Sequence, residues 1–297
     1  MAHNHREKNI GIAVALNISF TIIEIIGGIL TNSVAILADA LHDFGDSIAL
    51  ITSYFLERQA KRPADNKRTF GYARLSLLSA FIAAIVLIAG SLFILSQAIP
   101  RLLNPEEVYA PGMIALAVVG ILFNGAAFLR LKKGSSVNEK VISWHMLDDV
   151  LGWSTILVGS IVIQIWNLPI LDPIMTILFL AFTLWGVCKN LRESLNIFLQ
   201  GVPAHINIEG IKSDLLLVNG VKAVHDVHVW SLEGETDILT AHVAVSSELL
   251  AKPDEVRAAL KQRLQKHHIE HSTIELESET FCSGECEDDK RSSEDKH

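Results

Sequence analysis

Six stretches of mostly apolar residues, each long enough to cross a lipid bilayer as a helix, constrain this chain more than any other feature. Crossing the hydrocarbon layer takes about 20 such residues. The mean hydropathy of the 297 residues is also positive, at +0.35. We therefore predict an all-α bundle of six transmembrane helices. The predicted spans are residues 10–30, 33–56, 75–99, 112–131, 141–166 and 170–188.

The basic residues predict how this bundle is oriented. The chain turns quickly at 31–33, 104–112 and 168–173, so the helices on either side of these connections are expected to be antiparallel neighbours. Cytoplasmic loops carry the excess of Lys and Arg, and one side of the predicted bundle has only Arg101. Both termini are therefore predicted to lie in the cytoplasm, most simply at the cell inner membrane. The cytoplasmic basic residues are Arg6, Lys8, Arg58, Lys61, Arg62, Lys67, Arg68, Arg74, Arg130, Lys132, Lys133, Lys140, Lys189 and Arg192.

The residues after Pro203 have the pattern of a small water-soluble domain. Two alternating stretches at 222–232 and 237–246 and a third at 271–278 predict strands, and helices are predicted at 207–218 and 253–267. This order, αββαβ, fits an α+β domain whose antiparallel or mixed sheet has its helices on one face. The residues after Glu279 are acidic and predicted to be disordered. The predicted divisions are 1–202 for the transmembrane domain, 203–281 for the cytoplasmic domain and 282–297 for the tail.

The charge distribution and the motifs exclude several classes of function. Residues 203–297 contain 10 basic and 19 acidic side chains, which argues against nucleic acid as a partner because phosphate contacts need clustered Lys and Arg. The phosphate loop of ATP-driven proteins is absent, and so is the His-Glu-x-x-His motif of an intramembrane metalloprotease. The three cysteines indicate no disulfide framework, and the N-terminus does not resemble a cleaved signal peptide. We predict neither an enzyme nor an ATP-driven pump.

Two membrane helices each carry a His-x-x-x-Asp pair. His42 and Asp46 lie in the second span, and His145 and Asp149 lie in the fifth. Residues four apart lie on one helix face, so two such faces that meet would offer two imidazoles and two carboxylates. Zinc accepts this tetrahedral set, whereas calcium and magnesium prefer all-oxygen shells.

The pairs have a second interpretation, in which they are helix–helix hydrogen bonds without a metal.

The metal interpretation also predicts coupling to protons. A ligating imidazole must be neutral and a ligating carboxylate ionised, so protons and metal compete for the same groups. The unperturbed pKa of histidine, about 6.5, places this competition in the physiological range.

Several motifs resemble those of the cation diffusion facilitator family, and more closely its zinc-transporting branch. The resemblance runs over nearly the whole chain. In the membrane part it rests on Leu-Ala-Asp-Ala-Leu-His at 37–42, Thr-Phe-Gly-Tyr-Ala-Arg at 69–74 and Leu-Asp-Pro at 171–173. Beyond it are Leu-Arg-Glu-Ser-Leu at 191–195, Gly-Val-Pro at 201–203 and Val-His-Asp-Val-His-Val-Trp-Ser-Leu at 224–232. One departure is Ser76, where many relatives have Glu.

This resemblance implies a homodimeric secondary transporter that exports divalent metal, most readily Zn²⁺, by proton antiport with alternating access. It implies a transport site at His42, Asp46, His145 and Asp149, with His42 favouring zinc over cadmium or manganese. It also implies a metallochaperone-like, ferredoxin-like cytoplasmic domain. The alternatives are cadmium, cobalt or iron as the main substrate, and a membrane metal sensor that does not transport.

A second metal site is expected in the cytoplasmic domain. There His225, His242 and Glu277 correspond to family ligands, and adjacent strands bring such side chains together on one face. The tail thiols Cys282 and Cys286 either join this site or are merely carried by the tail. The alternative for the strand residues is an ordinary polar sheet face.

The remaining polar residues receive lesser roles. His228 lies three residues after His225, so we expect it on the opposite strand face, with a structural role. The histidines near the N-terminus and those at 267–271 are interpreted as solvated surface, with capture of cytosolic metal as the alternative. They are His3, His5, His267, His268 and His271. Polar membrane residues are expected to line the access path or bond to neighbours rather than bind the ion directly. They are Asn17, Glu24, Asp39, Asp43 and Asp148.

Overall fold

The computed structural model describes residues 18–131 and 137–279, without the side chains of residues 130, 131, 137–142 and 145. Within these residues, long helices occupy the region of the six predicted spans. They are α1 (Ile18–Thr31), α2 (Val34–Ala60), α3 (Leu75–Leu103), α4 (Ala110–Leu131), α5 (Val137–Trp166) and α6 (Leu171–Phe198). Helix α6 continues ten residues past the predicted span, because the polar stretch that follows it keeps helical geometry to Phe198.

Four of these helices are long and apolar enough to cross a membrane, and their spanning segments are Leu75–Leu103, Ala110–Leu129, Met146–Trp166 and Leu171–Phe198. The described part of α1 is shorter, at Ile18–Thr31. Helix α2 has 27 residues but carries Asp39, Asp43 and Asp46, which lower its mean hydropathy. The structure therefore shows a membrane helical domain, and the count of six spans stays a prediction.

The start of α2 is held by a carboxylate from α6. Asp172 is fully buried and accepts hydrogen bonds from the Ser33 hydroxyl at 2.5 Å, the Val34 N–H at 2.9 Å and the Ala35 N–H at 3.3 Å. Because the first N–H groups of a helix have no partner inside it, a carboxylate at this end satisfies them and complements the helix dipole. The Leu-Asp-Pro motif thus fixes where α2 begins.

Two glycines allow α2 and α3 to approach closely. A Cβ at Gly45 of α2 would collide with the Leu87 side chain of α3, and a Cβ at Gly90 of α3 would collide with the Leu41 side chain of α2. Small residues at helix interfaces let membrane helices pack without a gap. Leu41 and Gly45 flank His42, so this packing fixes the position of the first His-x-x-x-Asp pair.

The C-terminal domain has the predicted αββαβ order with one short added helix. Its elements are α7 (Ile208–Leu216), β1 (Val221–Ser231), β2 (Asp237–Val245), α8 (Ser247–Leu250), α9 (Pro253–Gln265) and β3 (Ile269–Ser278). The three strands form a mixed sheet in the order β1-β2-β3, with β1 antiparallel and β3 parallel to β2. Apolar residues of α7 and α9 share one core with Val229, Leu239, Ala241 and Val243 of the sheet. Both helices therefore cover one face, as predicted, and the other face carries the polar side chains.

A bulge in β1 changes which residues share that polar face. His225 pairs with His242 and His228 pairs with Thr240, so two β1 residues between them oppose a single β2 residue. Asp226 takes a positive φ of 49° at this point, a conformation that Asp tolerates better than most residues. His225 and His228 consequently lie on the same sheet face, and our prediction that His228 lies opposite was wrong because it assumed unbroken alternation.

The described chain forms two compact units. One contains the residues up to Leu56 together with Leu78–Leu191, and the other contains Glu57–Leu77 together with the residues from Arg192 onward. The connection between α2 and α3 thus belongs to the unit of the C-terminal domain. The domain boundaries at 202 and 281 stay predictions, and the tail at 282–297 lies outside the described residues.

Candidate metal sites

The first His-x-x-x-Asp pair lies on one face of α2, as its spacing predicts. The His42 Nε2 and Asp46 Oδ2 atoms are 3.7 Å apart, and both side chains are about one quarter exposed, at 28% and 27%. The edge of the Phe179 ring of α6 packs against the His42 ring, with centroids 5.9 Å apart. This contact holds the imidazole beside the carboxylate, where the two can act on one ligand.

Carboxyl groups from three helices meet beside this pair. Glu24 of α1 is fully buried, and Asp39 and Asp43 of α2 and Asp149 of α5 are buried as well. The Glu24 carboxyl lies beside that of Asp43, and Asp149 is near enough to Asp39 and Asp43 to interact electrostatically. The predicted ligand Asp149 therefore faces α2. Such a concentration of buried carboxyls is costly unless protons or a metal cation neutralise it.

The other predicted membrane residues are placed as follows. His145 belongs to α5, and its side chain lies outside the described part. Asp148 is exposed, in contrast with its buried neighbour Asp149, because one helical step turns it to another side. Asn17 lies outside the described residues. The structure thus brings Asp149 to the side of α2 that carries the buried carboxyls, and the full tetrad stays a proposal.

The C-terminal domain brings its three predicted ligands together on the polar sheet face. The ligand atoms of His225, His242 and Glu277 all lie within 4.8 Å of one another. The Glu277 carboxylate contacts both rings, with Oε1 at 2.7 Å from His242 Nδ1 and Oε2 at 3.2 Å from His225 Nε2. Among the side chains that the structure describes, this is the one group of three or more with such spacing.

Strand pairing produces this convergence. His242 lies on the central strand directly opposite His225 of β1, and Glu277 lies opposite Ala244 on the parallel strand β3. Side chains from three adjacent strands therefore meet on one face. Two nitrogens and one carboxylate oxygen are a donor set that zinc accepts, with a fourth position left for another ligand. A metal there would displace any protons on these groups.

Two acidic residues near this group were missed by sequence reasoning. Asp226 Oδ2 lies 3.5 Å and Glu275 Oε2 lies 3.6 Å from His242 Nε2. Asp226 Oδ1 also contacts His228 Nε2 at 2.8 Å. Glu275 could have been found, because it is two residues from Glu277 and shares its strand face. Asp226 gave no such signal, since the bulge that places it is not visible in the alternation.

The remaining predicted residues are not part of this group. Cys282 and Cys286 lie outside the described residues, as do His3 and His5. His267 lies 3.4 Å from Asp214 of α7. His268 is exposed, and the exposed His271 packs its ring against Phe70, with centroids 5.6 Å apart.

Comparisons with known proteins agree over nearly the whole chain. Residues 10–199 match the family model described as the cation efflux transmembrane domain, and residues 203–279 match that of the cation efflux protein cytoplasmic domain. The metal cation efflux system protein CzcD of Cupriavidus metallidurans is 35% identical over 283 residues, covering 93% of this chain and 89% of the relative. The zinc transporter ZitB of Pectobacterium atrosepticum is 34% identical, covering 97% and 91%.

A third relative carries a more detailed name. The cadmium, cobalt and zinc/H(+)-K(+) antiporter of Bacillus subtilis is 31% identical over 288 residues, covering 94% of this chain and 93% of the relative. Together with the two matched domain models, these relatives show that the chain belongs to the cation diffusion facilitator family of membrane cation efflux transporters.

Proposed function

We propose that this transporter exports zinc from the cytoplasm in exchange for protons, at a site formed by His42, Asp46, His145 and Asp149. The observation that carries the proposal is the arrangement around α2. His42 and Asp46 of α2 lie side by side at 3.7 Å. Asp149 of α5 is buried and close enough to Asp43 of α2 to interact with it electrostatically. Buried ionisable groups in membrane helices mark ion pathways by default.

The donor set supports zinc over other metals. Two imidazole nitrogens and two carboxylate oxygens suit a tetrahedral d¹⁰ ion, whereas an all-oxygen shell would suit magnesium, calcium or manganese. The names of relatives mention zinc, cadmium and cobalt. Cadmium, cobalt or iron as the main cargo is the alternative, and competition among these metals in a flux assay separates them.

The charge balance of the buried region supports proton exchange. The sequence has no Lys or Arg between Lys8 and Arg58, so no permanently charged cation of α1 or of the membrane part of α2 can neutralise Glu24, Asp39 and Asp43. A metal dication or protons must do so. Metal binding therefore releases protons and protonation releases metal, which is the exchange that an antiporter with alternating access needs.

The proposal also covers the membrane, the orientation and the assembly of the transporter. We place it in the cell inner membrane with both termini in the cytoplasm, because the basic residues flank one side of the predicted spans. The model that matches residues 203–279 is named ZT_dimer, which supports a homodimer joined through the cytoplasmic domain. Zinc at His225, His242 and Glu277 would be resident in that domain rather than transported.

Zinc uptake into everted membrane vesicles tests the proposal. With an acidic interior imposed, wild-type vesicles are expected to accumulate zinc, and vesicles carrying His42→Ala or Asp149→Asn are expected to accumulate none above background. Asp148→Asn is the matched control, because Asp148 is the exposed neighbour of Asp149. Undiminished uptake by the His42 and Asp149 variants would contradict the assignment of the site.

A second candidate function follows from the cytoplasmic group of ligands. His225, His242 and Glu277 are spaced for a metal without any contribution from the membrane, so the chain could report cytosolic zinc without carrying it. Purified protein in liposomes distinguishes the two. A sensor binds zinc and shows no flux, whereas a transporter shows flux that the Asp149→Asn substitution abolishes.

A further inference from the structure

The connection between α2 and α3, residues 57–74, is strongly basic; we name it the basic loop. It contains six basic and two acidic side chains. Residues 61–70 are all exposed. The exposed cations of the basic loop are Arg58, Lys61, Arg62, Lys67 and Arg68.

The basic loop has a defined internal structure. The Asp65 carboxylate accepts hydrogen bonds at 2.8 Å from the Tyr72 hydroxyl and from the backbone N–H groups of Lys67 and Arg68. These bonds, with that of Tyr72 first, hold the pKa of Asp65 below its usual value. The guanidinium groups of Arg62 and Arg68 lie over the Tyr72 ring, 5.6 and 5.0 Å from its centroid. The cations are thus presented on an ordered turn.

The positive charge of the basic loop is not neutralised within the described part of the chain. Asp65 is occupied by its local hydrogen bonds, and the ion pairs among described residues include none of the five exposed cations. Such a surface is complementary to an anionic partner.

The position of the basic loop indicates which anionic partner it meets. The apolar run of α3 begins at Leu75, directly after the loop. Exposed aromatic side chains lie close to the cations along the chain, with Tyr54 and Phe55 near the end of α2. Aromatic rings and basic residues together at the end of membrane helices are typical of the lipid–water interface.

We propose that the basic loop binds anionic phospholipid headgroups beside the ends of α2 and α3. The chain ties the loop to the bilayer surface, so headgroups reach it at a far higher effective concentration than a soluble anion does. Each cation near an anionic surface adds to the attraction, and salt within a Debye length weakens it.

The test measures the selectivity of the protein for anionic lipid in reconstituted membranes. Full-length protein is placed in phosphatidylcholine vesicles, and the immobilised fractions of spin-labelled phosphatidylglycerol and spin-labelled phosphatidylcholine are compared by electron paramagnetic resonance. The test variant combines Lys61→Gln, Arg62→Gln and Lys67→Gln, all at exposed positions. The matched control combines Lys252→Gln, Arg257→Gln and Lys261→Gln, which neutralise three exposed cations around α9.

Wild type and control are expected to prefer phosphatidylglycerol roughly threefold or more at low salt, and the test variant is expected to fall toward equal association. Raising the ionic strength lowers the wild-type preference, and inorganic phosphate at matched ionic strength lowers it no further. Equal selectivity in wild type and test variant overturns the proposal, and so does an equal loss in the control. A specific loss with phosphate would show that the loop binds the free anion instead.

Discussion

Replacing Asp172 with asparagine tests how the Leu-Asp-Pro motif holds the transmembrane domain together. Its carboxylate is fully buried and receives three hydrogen bonds at the start of α2, two of them from the backbone N–H groups of Val34 and Ala35. An asparagine has the same shape, but one of its two terminal atoms is an NH₂ group that can only donate. At least one backbone N–H of α2 then faces a donor.

The magnitude follows from these contacts. A buried donor left without an acceptor costs about 1–3 kcal/mol. The negative charge at the N-terminus of α2 is lost as well, and in a partly or fully buried setting that interaction contributes up to about 2 kcal/mol. Asp172→Asn is therefore expected to lower the free energy of unfolding by roughly 2–5 kcal/mol. For a domain of this size that corresponds to a fall in Tm of about 5–15 °C.

Thermal unfolding of detergent-solubilised protein, followed by fluorescence and by retention of the folded peak in gel filtration, measures this loss. Asp148→Asn is the control, since it makes the same chemical change at an exposed position of α5 and is expected to move Tm little. A Tm of Asp172→Asn within about 1 °C of wild type would refute the reasoning, because it would mean that the three hydrogen bonds do not hold α2.

Three further predictions concern other parts of the molecule. Glu277→Gln is expected to weaken zinc binding by the cytoplasmic domain roughly 10–100-fold in calorimetry of the full-length protein, whereas Glu279→Gln, at an exposed position, leaves it unchanged. Gly45→Ala is expected to lower thermal stability by about 1–3 kcal/mol, because the added methyl displaces a leucine of α3; an unchanged Tm contradicts that packing. The folded loop lowers the pKa of Asp65, so the ionised carboxylate stabilises the basic loop at pH values above its ordinary pKa of 3.8. This stabilisation is lost as the pH falls through the lowered pKa of the folded state. Limited proteolysis should therefore show the loop opening at a higher pH in Tyr72→Phe than in wild type.

Sequence patterns predicted the elements of this fold well, because each has its own local signal. Runs of apolar residues marked the helices of the membrane domain, and alternation marked the strands of the C-terminal domain. The convergence of His225, His242 and Glu277 was also predictable, because register and side-chain alternation bring them to one face once the strands are paired. The continuation of α6 to Phe198 was not predictable in this way. An apolar run marks the part of a helix that lies in the membrane, and the helix can continue beyond it in polar residues.

The features that sequence did not reveal depend on a local irregularity or on contacts between distant residues. The bulge at Asp226 shifts the phase of β1 by one residue and brings His228 to the ligand face, and only the backbone shows it. The contact between Glu24 of α1 and Asp43 of α2 depends on helix packing. The proximity of Asp149 to Asp43 depends on packing in the same way.

Zinc entry and proton exit, followed together in the same proteoliposomes, test the central claim most directly. With equal pH on both sides, zinc added outside is expected to enter and to make the interior alkaline, as internal protons leave in exchange. Asp149→Asn should show neither signal, and Asp148→Asn should show both. Zinc that entered wild-type vesicles while the internal pH stayed constant would contradict the account, because metal and protons would then not compete for the same buried groups.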